Sequence, residues 1–144
     1  MNQGFMYKEN HKLKNRLSVK TAATIKGNET MELKVIQSAE PKIHPTAVID
    51  PTAILHKNVV IGPYAVIGEN CEIGEGSVIG AHAVIAKNVR MGKENHIYPH
   101  AVIGEDPQDL KFHDEYSTVV IGDHNLIREY VTIHRPPAKT AKPG

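Results

Sequence analysis

The chain has 144 residues and a net charge of +1, which fits one domain better than two and gives no overall attraction for nucleic acid or an anionic membrane. Aromatic residues make up 5 % and tryptophan is absent, so the core must come from aliphatic side chains. A single cysteine, Cys71, excludes an intramolecular disulfide and a thiolate metal cluster, and no apolar run is long enough to span a bilayer.

The charge is uneven along the chain. Residues 1–42 carry eight Lys and Arg against four Asp and Glu, whereas residues 43–144 carry nine against twelve. Residues 1–30 are basic and polar, with no consistent amphipathic period, and are expected to be a disordered or loosely helical extension. They lack the compact apolar stretch and small-residue cleavage site of a secretory signal, so a cytoplasmic protein is expected. Within residues 31–42, Met31-Glu32-Leu33-Lys34-Val35-Ile36 reads as a short strand able to cap the repeats that begin at Ile43. Met31 is an alternative start.

From Ile43 an aliphatic residue recurs every six positions: Ile43, Ile49, Leu55, Ile61, Ile67, Ile73, Ile79, Ile85, Met91, Ile97, Ile103. The series lapses for two hexads and resumes in phase at Ile121, Ile127 and Ile133. Four residues after each aliphatic stands a second, mostly small column that includes Ala47, Val59, Cys71, Ser77, Ala83, Asn95 and Ala101, and glycine often follows the aliphatic directly. The small residue and the next aliphatic are two apart, so in extended chain they face the same side. Each hexad is therefore a short strand with two inward side chains, followed by a polar corner. A period of six excludes an α-helix and a hairpin meander. Three hexads make an 18-residue triangular coil, and stacked coils give an all-β, parallel β-helix over residues 43–135, stabilised by about 1.5–3 kcal/mol for each buried Ile.

The same spacing stacks other side chains. Tyr64, His82 and His100 lie 18 apart and are expected to share one face. Imidazoles so placed on neighbouring subunits are the zinc ligands of γ-class carbonic anhydrases, but two histidines without that family's motif are weak evidence, and packing at the surface or a subunit interface is the preferred reading. Thr52, Asn70, Asn88, Asp106 and His124 are expected to form a second, corner ladder.

Residues 104–120 break the column. Pro107 cannot donate to a ladder, and the charged cluster His113-Asp114-Glu115 would be costly inside. One extruded loop at about 105–118 is expected, with the β-helix resuming near Val119. Such an excursion is either a tolerated surface loop or the carrier of binding groups.

The residues around the break favour the second reading. Gly104-Glu105-Asp106-Pro107-Gln108-Asp109-Leu110-Lys111-Phe112 resembles the G-x-x-x-Q-D-L-K-[YF] loop of the UDP-N-acetylglucosamine O-acyltransferases, a family of the hexapeptide-repeat transferases. Ile121-Gly122-Asp123-His124-Asn125 and Ile127-Arg128-Glu129-Tyr130-Val131-Thr132-Ile133-His134-Arg135 resemble the I-G-D-x-N-x-I-R-E-x-V-T-I-H-R stretch that comes after it there. The resemblance implies a left-handed winding, which the usual right-handed crossover rule would not have given. It implies transfer of a 3-hydroxyacyl group from acyl carrier protein to the 3-hydroxyl of UDP-N-acetylglucosamine, the first step of lipid A synthesis. It also implies a homotrimer with sites between subunits, a histidine general base and no cofactor. Carried over, Asp109 would accept hydrogen bonds from the sugar, Lys111 would place a cation near the nucleotide, Gln108 would line the pocket, and His134 would support the cleft. The plainer readings are a loop-capping Asp, a solvated Lys and a His bonded to its neighbours.

The pattern departs from the family at the end. Arg135-Pro136-Pro137 replaces the usual small residues and glycine. The N-x-H-[IV]-[AG]-H-D segment that bears the general base is not among the 144 residues, so no catalytic residue is assigned. Residues 136–144 read as a truncated tail, and no acyl transfer is expected from these residues alone. A non-catalytic β-helical assembly module and another hexapeptide enzyme, such as an acetyltransferase, remain as alternatives.

Overall fold

A computed structural model describes residues 19–22, 34–37 and 39–137. The chain divides into two units, residues 1–40 and 41–144. In the first, β1 (Val19–Ala22) pairs antiparallel with β2 (Lys34–Gln37), Val19 opposite Gln37 and Ala22 opposite Lys34. Thus Val19–Ala22, inside the stretch expected to be disordered or loosely helical, is a strand. The rest of residues 1–33, with the alternative start at Met31, and residues 138–144 lie outside the described residues.

The second unit is a left-handed parallel β-helix. Its first coil is β3 (Lys42–Ile43), β4 (Val48–Ile49) and β5 (Ile54–Leu55). The second is β6 (Val60–Ile61), β7 (Val66–Ile67) and β8 (Glu72–Ile73). The third is β9 (Val78–Ile79), β10 (Val84–Ile85) and β11 (Val89–Met91). Then come β12 (His96–Ile97), β13 (Val102–Glu105) and, after the loop, β14 (Val119–Ile121), β15 (Leu126–Ile127) and β16 (Thr132–His134). The three faces are sheets of order β3-β6-β9-β12-β15, β4-β7-β10-β13-β16 and β5-β8-β11-β14.

Register comes from the columns. Ile43 pairs with Ile61, Ile61 with Ile79, Ile79 with Ile97 and Ile97 with Ile127. A one-residue slip would turn every isoleucine outward. Ile61, Ile67, Ile73, Ile79, Ile85, Ile97 and Ile103 are accordingly buried, with the small column of Ala65, Cys71, Ala83 and Ala101 beside them. In the last coil Ile121, Ile127 and Ile133 are only half-buried, because no described coil covers them.

The corners need left-handed backbone. Asn58, Tyr64, Asn70, His82, Asn88, Glu94, His100, His124 and Tyr130 all have φ between 51° and 64°, a region Asn tolerates through local hydrogen bonding and bulkier residues enter rarely. The glycine after the aliphatic has a different cause. A Cβ at Gly68 would overlap the Ala86 carbonyl oxygen of the next coil, so the coils can approach only if that side chain is missing.

An internal polar column tethers the last coil. The buried Asn95 side chain donates to the Gly122 carbonyl (2.8 Å) and accepts from the Asn125 main-chain N–H (2.9 Å), while the Asn95 N–H donates to Ser77 Oγ (3.1 Å). Ser77 and Asn95 stand 18 residues apart, Asn95 and Asn125 stand 30. The loop is thus a whole-number insertion that returns the chain to the same face. No helix among the described residues is long and apolar enough to cross a membrane.

Candidate functional site

Two places on the β-helix concentrate chemistry-bearing side chains. One is the corner where Tyr64, His82, His100 and Tyr130 stack face to face, with ring centroids 5.0–5.1 Å apart and planes within 17°. The sequence spacing anticipated its first three rings. Tyr130 was missed because it stands 30 rather than 18 residues beyond His100. Among the described residues no group of three or more His, Cys, Asp or Glu is arranged to hold a metal ion.

The corner ladder expected through Thr52, Asn70, Asn88, Asp106 and His124 holds only in its first part. The Asn70 N–H donates to Thr52 Oγ1 (2.8 Å), and Asn70 reaches Asn88 (3.4 Å). Asp106 leaves the column because the chain has already turned into the loop. His124 joins a different corner, its N–H donating to the Lys93 carbonyl and its ring lying 2.9 Å from Glu94. Counting by 18 fails across an insertion.

The second place is the loop. The chain leaves the β-helix after Glu105 and returns at Val119. The exit turns at Gly104, whose φ of 91° and tight approach to Val89 would strain any side chain. Within the loop a turn forms around Asp109: its carboxylate accepts the Lys111 N–H (2.9 Å) and its carbonyl accepts the Phe112 N–H (2.9 Å). Such Asx bonding is a common local use of aspartate. Gln108, Asp109, Leu110 and Lys111 are exposed, Leu110 completely so. The Gln108 amide and the Lys111 ammonium have no hydrogen-bond partner among the described residues.

His134, at the end of β16, sits at the loop's root. Its Nδ1–H donates to the Asp106 carbonyl (2.7 Å). In the neutral ring that bond places the proton on Nδ1, so that Nε2 is then the acceptor. The structure thus brings Asp109 and Lys111 into one turn and ties His134 to the residue three positions before that turn.

Sequence reasoning missed the residues that hold the loop. Arg135, only 2 % exposed, donates through Nε to the Gly104 carbonyl (3.1 Å) and pairs with the Asp106 carboxylate. Lys87 Nζ reaches Asp114 (3.2 Å) and Asp106 (3.9 Å) from the coil below. Arg135 belongs to the T-I-H-R stretch, but its place, the second after the aliphatic Ile133, is a polar corner in an ordinary hexad. Cys71 is no candidate nucleophile. It is buried, and burial holds its thiol above the ordinary range. On an exposed corner, the Arg128 guanidinium lies 4.4 Å over the Tyr98 ring and holds the neighbouring Glu129 carboxyl below its usual range.

The family model described as bacterial transferase hexapeptide (six repeats) matches residues 40–73, 52–87 and 70–105. No curated protein matches the chain. Solved structures of UDP-N-acetylglucosamine O-acyltransferases do. That of Moraxella catarrhalis is 47 % identical over 67 % of this chain and 38 % of its own, with a TM-score of 0.66. The Bacteroides fragilis enzyme is 48 % identical over 67 % and 38 %, TM-score 0.65, and the Francisella novicida enzyme 43 % over 69 % and 36 %, TM-score 0.67. The chain therefore spans less than two fifths of the length of these relatives.

Proposed function

We propose that this chain, whose β-helical region is that of the UDP-N-acetylglucosamine O-acyltransferase family, provides the nucleotide-sugar side of a cytoplasmic acyltransferase acting in lipid A synthesis. The observation that carries this is the loop itself: a turn fixed by its own aspartate presents an amide, a carboxylate and an ammonium to solvent at one point on a rigid prism.

In this reading the free acceptor capacity of Asp109 takes hydroxyl protons of the sugar. Lys111 places a positive charge toward the diphosphate, as a point cation suits, and Gln108 supplies a donor and an acceptor beside them. Nε2 of His134 accepts a hydrogen bond at the edge of the site. The reaction moves a 3-hydroxyacyl group from the thioester of an acyl carrier protein to the sugar 3-hydroxyl. A C–O bond forms, the C–S bond breaks, and the hydroxyl proton leaves through a general base to the departing thiolate. None of Gln108, Asp109, Lys111 and His134 is assigned as that base. Homotrimeric assembly, with the loop facing a neighbouring β-helix, completes the proposal.

Titration calorimetry with UDP-N-acetylglucosamine tests it. The 144-residue chain is expected to bind, and Asp109→Ala to weaken binding by roughly tenfold to a hundredfold, the value of a hydrogen bond to a charged group. Lys111→Ala is expected to weaken it less. Absence of binding, or binding indifferent to both substitutions, would contradict the assignment.

A further inference from the structure

We infer that Arg135 is a positioning residue: one buried guanidinium fixes the turn that carries Gln108, Asp109 and Lys111. The inference rests on the nucleotide-sugar reading for its functional meaning, although the geometry stands without it.

Arg135 directly follows β16, and its main-chain N–H donates to the Glu105 carbonyl (2.8 Å). This anchors the residue beneath the loop's exit. From there Nε bonds the Gly104 carbonyl (3.1 Å), the terminal nitrogen pairs with the Asp106 carboxylate, and the guanidinium lies 5.6 Å from the Phe112 ring centroid. The three contacts fall at 104, 106 and 112, so they bracket the turn on both sides. The side chain is 1 % exposed and the Asp106 side chain 56 %. A buried guanidinium without its acceptors would be costly, which makes the loop's path the means by which this cation is satisfied. Lysine cannot substitute. An ammonium has neither a fork to serve a carbonyl and a carboxylate together nor a flat face for an aromatic ring. His134 adds to the root through the Asp106 carbonyl, and Lys87 spans the same turn from Asp106 (3.9 Å) to Asp114 (3.2 Å), but through partly exposed ion pairs that hold far less firmly than a buried guanidinium.

The test uses the full 144-residue chain and amide hydrogen exchange by NMR, with Arg135→Lys and Asp106→Asn. The amides of Lys111 and Phe112, both bonded to Asp109, are expected to exchange at least tenfold faster in Arg135→Lys. Those of Val78 and Val84 in the middle coils should be unmoved, which separates positioning from general destabilisation. UDP-N-acetylglucosamine affinity is expected to fall about tenfold in the same variant. Asp106→Asn, altered on the exposed side of the pair, should give a smaller change in the same amides and serves if Arg135→Lys does not fold. Loop exchange equal to wild type in the folded variants would overturn the inference, as would a loosened loop with undiminished sugar affinity. A loosened loop in a protein whose wild type binds no nucleotide sugar would uphold the clamp and overturn the substrate reading alone.

Discussion

Gly68 and Gly122 occupy the same position of the hexad, yet they live in different surroundings. A Cβ at Gly68 would overlap the Ala86 carbonyl, whereas one at Gly122 would meet nothing within 4 Å. The middle coils are sandwiched; the coil after the loop is covered by described residues on one side only. Repeat proteins draw their stability from neighbours rather than from the unit itself, so identical letters carry different weight in the two regions. The candidate residues Gln108, Asp109, Lys111 and His134 gather where the stacking is interrupted.

Substitutions in the two regions would break or sharpen this contrast. The largest effect is expected from Gly68→Ala, where the obstacle is backbone and cannot rotate away. It should cost more than the about 1–3 kcal/mol of ordinary overpacking, read as a collapse of the thermal transition. Gly122→Ala should leave the transition within about 0.5 kcal/mol of wild type. Equal effects would show that the two coils are alike after all. Next comes Ile79→Ala, at a fully buried site, expected to cost about 2–5 kcal/mol in denaturant unfolding. Ile127→Ala, in the half-buried coil, should cost less than half of that.

Asn95→Ala acts at the join between the regions. Removing the amide breaks its bonds to the Gly122 carbonyl and the Asn125 N–H, whose residues are exposed to water, at about 0.5–1.5 kcal/mol. Hydrogen exchange should show the loss confined to residues from Val119 onward; uniform loosening would mean the last coil is no separate unit. The smallest effect belongs to Ser117. Its hydroxyl is buried without a hydrogen-bond partner among the described residues, so Ser117→Ala should be neutral or slightly stabilising, within about 0.5 kcal/mol. A marked loss of stability would mean that the hydroxyl has a partner.

The same contrast explains what could be read from the letters. The prism was legible because Ile43, Ile61, Ile79 and Ile97 recur at a period no helix or meander shares, and their pairing obeys it. The extruded loop was legible from Pro107 and the break in the column. The aliphatic column was legible across the insertion at Ile121, Ile127 and Ile133; what escaped was which corner side chains meet across it. Tyr130 closes the aromatic stack and His124 pairs with Glu94 because the loop adds two further hexads, which a fixed count of 18 cannot see. Arg135 escaped for a different reason. The second position after an aliphatic is a polar corner in the ordinary hexads, as at Lys57, Glu69 and Lys93, and only the loop folded over Arg135 makes it buried. The strand Val19–Ala22 escaped because a single antiparallel pair leaves no period to count.

The interrupted face, and not the regular prism, is where the nucleotide sugar should meet this chain. Titrating the isotope-labelled protein with UDP-N-acetylglucosamine and observing every amide by NMR addresses this directly. Shifts should gather at Asp109, Leu110, Lys111, Phe112 and His134, with the amides of the second and third coils still. Shifts centred on the Tyr64–His82–His100 corner, or none at saturating sugar, would contradict it.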